Sequence, residues 1–329
     1  MKAAIFTQYG PADVLGLKET ATPTPKDNEV MVRIHATTVT PVDCSFRAGD
    51  PCIVRLYLGL LRPKKTILGT ELAGVVAATG KDVTWFGIGD QVFAAPADGT
   101  GAHAEYICLP SEGAIAAIPN NMTLEQAATI CNGGLTALPF LRDHGKIKRG
   151  DKVLIIGASG SIGTIAVQLA KHFGAHVTGV CSTANIELVK SLGADHVIDY
   201  TVDDFTMRAE TAETYDIVFD TVAKSSFAQV KRVLAQGGVY LVTAPSFATI
   251  SRMFWTMVFG GKRAVMAATG LRPAKDQAAD MVILKGMYNA GTLRAIIDRV
   301  YPLNDIAMAH SYVEAGHKKG NVVISIIPE

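Results

Sequence analysis

The chain reads as a two-domain α/β protein, in which a doubly wound parallel sheet lies between two stretches of a compact, barrel-like β domain. Three observations predict it. Up to about residue 120, short β-rich runs alternate with turn clusters, and from residue 122 strands alternate with helices. A glycine-rich stretch, Gly157-Ala158-Ser159-Gly160-Ser161-Ile162-Gly163, separates an apolar strand from an amphipathic helix. With 329 residues, 49% of them hydrophobic and 19% charged, the chain can fill about two cores, and a disordered or fibrous class is excluded. A net charge of +1 gives no basic excess for a phosphate backbone, so no nucleic-acid partner is expected. No run reaches the ~18 uninterrupted apolar residues of a spanning helix. The opening Met1-Lys2-Ala3-Ala4-Ile5 reads as a strand, and five scattered cysteines describe no disulfide framework, so a reducing cytoplasm is expected.

In the first part, Val30–Ile34 alternates like a half-buried strand, and Leu72–Ala78 is a near-continuous apolar run closed by Thr79-Gly80. Gly87, Gly89 and Asp90 then punctuate the approach to a strand at Gln91–Ala94. Thr123, with Gln126 three residues on, is a capping pattern that opens a helix. Beyond it come strand Val153–Ile156, helix Ile162–Phe173, strand His176–Val180, helix Ala184–Leu192, and strands His196–Asp199 and Tyr215–Asp220. Helix Ser225–Leu234, strand Gly238–Thr243, a helix near Lys275–Asn289 and a last strand at Val322–Ile326 complete the reading. The strand texture of the end matches the first part, so the chain is expected to return to the β domain.

Glycine between strand and helix lets the chain turn tightly and lets backbone amides approach a pyrophosphate at the helix N-terminus. The pattern departs from G-x-G-x-x-G, because Ala158 stands at the first glycine position. In its strand–helix–strand setting it points to a dinucleotide. After the second strand stand Cys181, Ser182, Thr183 and Asn185, with no carboxylate before Glu187. An acid there would repel a 2′-phosphate, whereas hydroxyls and an amide can donate to it, so NADP(H) is expected over NAD(H).

Residues spread along nearly the whole chain resemble one family. They include Met1–Gly10, Pro41-Val42-Asp43 with Arg47 and Gly49, Gly69–Gly74, Gly89–Val92, Ala104–Tyr106, Leu135–Ala137, the glycine loop, Gly193–Asp195, Tyr301–Leu303 and Gly316–Gly320. The chain is similar to medium-chain dehydrogenase/reductases, in the zinc-independent quinone-oxidoreductase (zeta-crystallin-like) branch. Within it, bacterial NAD(P)-dependent alcohol dehydrogenase-like and reticulon-interacting-protein-like sequences look nearest. The resemblance implies a Rossmann NADP-binding domain, residues 122–271, inserted into a GroES-like β-barrel catalytic domain, residues 1–121 and 272–329. It also implies an active site between the domains and a homodimer. Position by position, it puts Thr136 beside the nicotinamide and sets Gly160 and Gly163, with Ser159, Ser161 and Ile162, at the pyrophosphate. Ser182, Thr183, Asn185 and Tyr200 fall at the adenosine ribose and 2′-phosphate, and Val222 and Asn321 at the nicotinamide half. Thr40 replaces the asparagine usual in that branch at a position that meets substrate.

The zinc-using branch holds its ion with a cysteine, a histidine in G-H-E and a third ligand; here the motif reads Gly69-Thr70-Glu71. The four-cysteine structural lobe is also missing, which leaves Cys44, Glu71 and Cys131 as the sole metal constellation, and no metal is expected. Without a Lewis acid, hydride needs an acceptor that spreads its own charge, such as a quinone or an α,β-unsaturated carbonyl. Tyr57 is a candidate proton donor or else a lining aromatic, and Asp43 with Arg47 a salt bridge or part of the site. The apolar run Phe247, Ile250, Met253, Phe254, Trp255, Met257 and Phe259 is either packing or a hydrophobic cover for the substrate. The rival readings are a zinc-type alcohol dehydrogenase and a non-catalytic NADPH-binding adaptor or crystallin-like protein.

Overall fold

The computed structural model describes residues 1–206, 214–243, 261–267 and 269–327, and the apolar run 247–259 lies outside the described residues. The chain divides into two compact units: Met1–Asn132 with Gly270–Gly291 and Ala295–Glu329, and Gly133–Thr269 with Thr292–Arg294.

The first unit opens with an antiparallel ribbon, β1 (Lys2–Ile5) and β2 (Gly16–Glu19), then β3 (Glu29–Val39), in which Val30, Val32 and Ile34 alternate into the core and are fully buried. Helices α1 (Pro41–Ala48) and α2 (Ile53–Leu58) follow. Next come β4 (Leu72–Thr79), β5 (Gln91–Ala94), β6 (Tyr106–Pro110) and β7 (Ile115–Ala117). Helix α3 (Leu124–Ala128) is closed by the expected capping box, with Thr123 and Gln126 exchanging hydrogen bonds of 3.1 and 3.2 Å. The change of periodicity at residue 122 precedes the change of unit, because α3 packs back on β3, β4 and β5.

Helix α4 (Cys131–Pro139) carries the chain from the first unit into the second at Gly133 and leads to β8 (Lys152–Ile156), α5 (Ser161–His172) and β9 (His176–Cys181). The series continues through α6 (Ile186–Ser191), β10 (His196–Asp199), β11 (Tyr215–Asp220), α7 (Phe227–Val230), β12 (Leu234–Val242) and β13 (Arg263–Met266). All six strands are parallel and ordered β10-β9-β8-β11-β12-β13, the doubly wound Rossmann order, which reverses between β8 and β11. Leu154, Ile156, Val180, Val218 and Tyr240 share its core.

Two helices differ from the sequence reading. The Ser225–Leu234 helix contracts to one turn, capped by Ser226 and Gln229, because Leu234 already joins β12 beside Tyr215. The Ala184–Leu192 helix starts as a 3-10 turn, Thr183–Asn185.

The chain then enters α8 (Ala274–Asn289), β14 (Ile297–Pro302), α9 (Ile306–Glu314) and β15 (Asn321–Ser325). Strand β15 pairs antiparallel with β3 and parallel with β14, so the end of the chain returns to the first sheet, ordered β14-β15-β3-β4-β5-β7 with β6 also on β3. This is the GroES-like unit. Among the described residues, no helix is long and apolar enough to cross a membrane.

Candidate active site

The carboxyl edge of the parallel sheet is where the second unit concentrates its polar groups. Strand β8 ends in the glycine loop, and α5 starts at Ser161 with Gly160 as its N-cap. The first-turn N–H groups of Ser161, Ile162 and Gly163 have no preceding helical carbonyl to bond, so they and the helix dipole favour an anion. Gly163 is glycine for packing: a Cβ there would sit 2.0 Å from the Gly157 carbonyl oxygen. Gly160 differs, since a Cβ would meet only that oxygen, at 3.4 Å, and otherwise faces open space. In α4, a Cβ on Gly133 would come 2.9 Å from the Ser161 carbonyl oxygen. That close approach sets α4 against the start of α5, and Thr136, one turn further along α4, is half-buried.

At the end of β9, Asn185 is buried and ties two parts of the cradle, donating to Ser159 Oγ at 3.1 Å and to Ser182 Oγ at 3.2 Å. Its Oδ1 has no partner in the protein. Tyr200, half exposed, is fixed beside them by its N–H on the Cys181 carbonyl at 3.0 Å. Thr183 is engaged elsewhere. Its hydroxyl donates to Asp199 Oδ2 at 2.5 Å, and Thr201 binds Asp199 Oδ1 through its N–H and hydroxyl at 2.9 and 2.7 Å. These donors hold the Asp199 carboxyl below its usual range. A carboxylate therefore stands at this edge after all: β10 pairs in register with β9, Asp199 opposite Cys181, and delivers from the neighbouring strand the acid that β9 lacks.

Past β11, Val222 lies over Gly157, and the turn is built on Asp220, which is fully buried. Its carboxylate accepts the N–H groups of Val222, Ala223 and Ser225 at 3.1, 2.8 and 2.9 Å and the Tyr240 hydroxyl at 3.1 Å. That anchorage holds Ala223 at φ 54°, in the left-handed region. Neither Asp199 nor Asp220 stood out in the sequence: Asp199 joins its near neighbour Thr201 to Thr183 from the end of the adjacent strand, and Asp220 joins the N–H groups two, three and five residues on to the Tyr240 hydroxyl of β12.

The first unit holds a second polar cluster. Thr40 caps α1: its hydroxyl donates to Asp43 Oδ2 at 2.6 Å, and Asp43 N–H returns to Thr40 Oγ1 at 3.3 Å. The expected Asp43–Arg47 pair is replaced. Asp43 also accepts Gly69 N–H at 3.0 Å, and buried Arg47 bonds Glu314 at 2.5 Å and the Gly10 carbonyl at 3.1 Å. Glu71 is buried; Thr38 donates to one carboxyl oxygen at 2.5 Å and Asn132 N–H to the other at 2.6 Å. Burial pushes its pKa up to about 7 against those two donors. Lys318, which faces Glu71, is pushed down to about 8 by burial. Asn321 is buried at the start of β15, its amide on the Thr129 and Ile296 carbonyls at 3.4 and 3.3 Å. Tyr57 is half exposed, donates to the Asp98 carbonyl at 2.7 Å and accepts from Lys65 at 2.8 Å. An open groove of about 440 Å³ beside Lys65 and Asp98, also lined by Pro96, Ile107 and Leu109, includes none of the sequence-assigned site residues.

Zinc does not fit these residues. Cys44 Sγ lies 3.6 Å from His310 Nδ1, and its thiol is pushed up to about 12 by burial and by the Asp43 charge. Glu71 is clasped by Thr38 and Asn132, and burial also raises the Cys131 thiol. Thr70 accepts a 3.4 Å hydrogen bond from the Asn132 amide. Among the described residues, no three His, Cys, Asp or Glu side chains gather as a metal site. A dinucleotide does fit the second unit, on the open face of Gly160, the free helix N-terminus and the unpartnered Asn185 Oδ1.

The sequence matches the alcohol dehydrogenase GroES-like domain over residues 26–120 and a family described as zinc-binding dehydrogenase over residues 192–324. It is 31% identical to the mitochondrial NAD(P)H oxidoreductase RTN4IP1 of Mus musculus, over 91% of this chain and 82% of that one. It is 30% identical to the chloroplastic NADPH-dependent alkenal/one oxidoreductase of Arabidopsis thaliana, over 100% of this chain and 80% of that one. The crystal structure of Escherichia coli quinone oxidoreductase complexed with NADPH superposes with a TM-score of 0.86 at 25% identity, covering 100% of both chains. The chain belongs to the medium-chain dehydrogenase/reductase superfamily, alongside quinone-oxidoreductase-like and RTN4IP1-like members.

Proposed function

We propose that the chain is a zinc-independent, NADPH-dependent oxidoreductase that reduces quinones or α,β-unsaturated carbonyls. The observation that carries this reading is the cluster around Thr70 and Glu71. There, groups that could have held an ion are engaged by Thr38, Asn132 and His310, while the dinucleotide cradle of the second unit is whole. The names of the Arabidopsis alkenal/one oxidoreductase and of the NADPH-bound Escherichia coli enzyme support the same reading.

NADPH, when bound, supplies a hydride from its nicotinamide to the conjugated acceptor, whose π system spreads the charge that arrives. The protein's part is orientation. Gly160 and the amides of Ser161, Ile162 and Gly163 hold the pyrophosphate; Asn185 Oδ1 takes a ribose hydroxyl; Ser182 and Tyr200 flank the 2′-phosphate. Thr136, Val222 and Asn321 are assigned to the nicotinamide half. Correct placement of two reactants is worth about 7–11 kcal/mol of a barrier. At rest the Thr40 hydroxyl donates to Asp43 and the Tyr57 hydroxyl to the Asp98 carbonyl, and the proton is assigned to solvent water. The domains follow the 1–121 with 272–329 and 122–271 division, give or take α3, and the protein acts as a cytoplasmic homodimer, which sedimentation and fractionation would check.

The test is NADPH deuterated at the transferring position, incubated with an enone. Deuterium on the β-carbon, with the α-hydrogen from water, is the expected result. Deuterium on a carbinol carbon would establish carbonyl reduction and replace this reading with an alcohol dehydrogenase, and a chain that binds NADPH but reduces none of a quinone and enone panel would be an adaptor.

A further inference from the structure

We propose that the segment from Pro51 to Lys65 docks the protein onto an anionic lipid surface. Ile53, Leu56, Tyr57, Leu60 and Leu61 recur at helical spacing, as a half-buried helix would show them, yet they lie outward: 64%, 74%, 49%, 65% and 88% exposed. Leu61 is the most exposed large hydrophobic side chain among the described residues. The segment is not loosely held. Leu58 is fully buried, the Lys64 N–H closes the tip on the Leu58 carbonyl at 2.7 Å, and Tyr9 bonds the Gly59 carbonyl at 2.5 Å. The tip that carries Leu60 and Leu61 is therefore ordered before any partner arrives.

Charge selects the partner. Residues 51–65 contain Arg55, Arg62, Lys64 and Lys65 and no acidic residue. Arg55 lies over the Tyr9 ring at 4.9 Å, and Lys65 pairs with Asp98 at 3.0 Å, while Arg62 and Lys64 are exposed next to the two leucines. Asp98, the partner of Lys65, meets the segment at its far end, and Asp50 precedes it in the chain. Apolar side chains flanked by cations match the boundary of an anionic bilayer, where the leucines enter the acyl region and the ammonium and guanidinium groups meet phosphates. Five side chains are far fewer than the roughly 20–30 residues a side of a stable protein interface, which argues against a second copy as the occupant. The inference does not depend on the proposed reaction, because docking is read without turnover.

The full chain should float with vesicles of phosphatidylcholine mixed with phosphatidylglycerol, much less with phosphatidylcholine alone, and the binding should weaken as salt is added. The double variant Arg62→Ala with Lys64→Ala should bind anionic vesicles about tenfold or more weakly. Leu60→Ser with Leu61→Ser should lose binding even at low salt. Both should keep the parent's melting temperature and its NADPH oxidation with a water-soluble quinone, since neither alters a buried or cofactor-contacting group. The proposal is overturned if the unaltered chain ignores anionic vesicles or if the double leucine variant binds them equally well. It is also overturned if sedimentation velocity shows that the leucine variant loses a dimer the parent forms, which would assign the patch to a second copy.

Discussion

Asp199 is the residue that most changes the view of cofactor choice. The neutral run Ser182–Asn185 favours a 2′-phosphate, but Asp199 places a carboxylate beside it and takes the Thr183 hydroxyl as its donor. Asp199→Asn should raise NADPH affinity relative to NADH, read by titrating nicotinamide fluorescence; an unchanged ratio would place the 2′-phosphate elsewhere. Glu71 gives a pH signature. Its folded pKa of about 7 stands above the unfolded carboxyl value, so the folded state binds the extra proton. The stability this gives is fully present below about pH 4 and is lost as pH rises through 7, a change of about 3 kcal/mol. The groups that face it are Asp43, which raises the shift, and Lys318, which opposes it. Glu71→Gln, which mimics the protonated group, should flatten the melting-temperature profile between pH 5 and 8; a profile as steep as the parent's would assign the slope to other groups. Tyr57→Phe, which removes a hydroxyl bonded to Asp98 and Lys65, should change turnover by less than about tenfold.

In the glycine loop, two glycines serve different ends and two substitutions separate them. Gly163→Ala forces a Cβ to 2.0 Å from backbone, so α5 must move off the loop. It should cost about 1–3 kcal/mol and weaken NADPH binding together. Gly160→Asp meets nothing in the protein but Gly157 O at 3.4 Å, so it should fold with the parent's melting temperature and bind neither NADPH nor NADH. Normal NADPH binding by a folded Gly160→Asp variant would show the loop to be misassigned. Strand, loop and helix here were legible because each carries its own local cue: β8 is apolar throughout, the glycines are spaced for a turn, and α5 is amphipathic. The turn after β11 had no such cue. It depends on one carboxylate, Asp220, collecting the N–H groups of Val222, Ala223 and Ser225 in a local turn that no glycine or proline announces, and a hydroxyl from β12 that only strand pairing brings in. The same limit hid Asp199 behind its register with β9, and β13, a four-residue strand whose pairing with β12 is its sole mark.

For the molecule, alternation of strands and helices was enough to expect the doubly wound order, because parallel strands buried on both faces leave few other solutions. The return of the chain to the first sheet was legible only as a likeness of texture, since a five-residue strand carries no address. The pairing supplies it: β15 lies between β14 and β3, bonded to both, rather than on an edge. Val322, Val323 and Ile324 are fully buried there, and each contributes about 1.5–3 kcal/mol. Their sum is comparable to the roughly 5–15 kcal/mol that holds a domain folded. A chain ending at Gly320 should therefore lose the first unit as a cooperative structure while the second, whose six strands are all supplied by residues 152–266, still folds. Calorimetry should show one remaining transition, smaller in enthalpy than the parent's total. If the shortened chain melts with the parent's full enthalpy, β15 is an accessory and the first sheet closes without it.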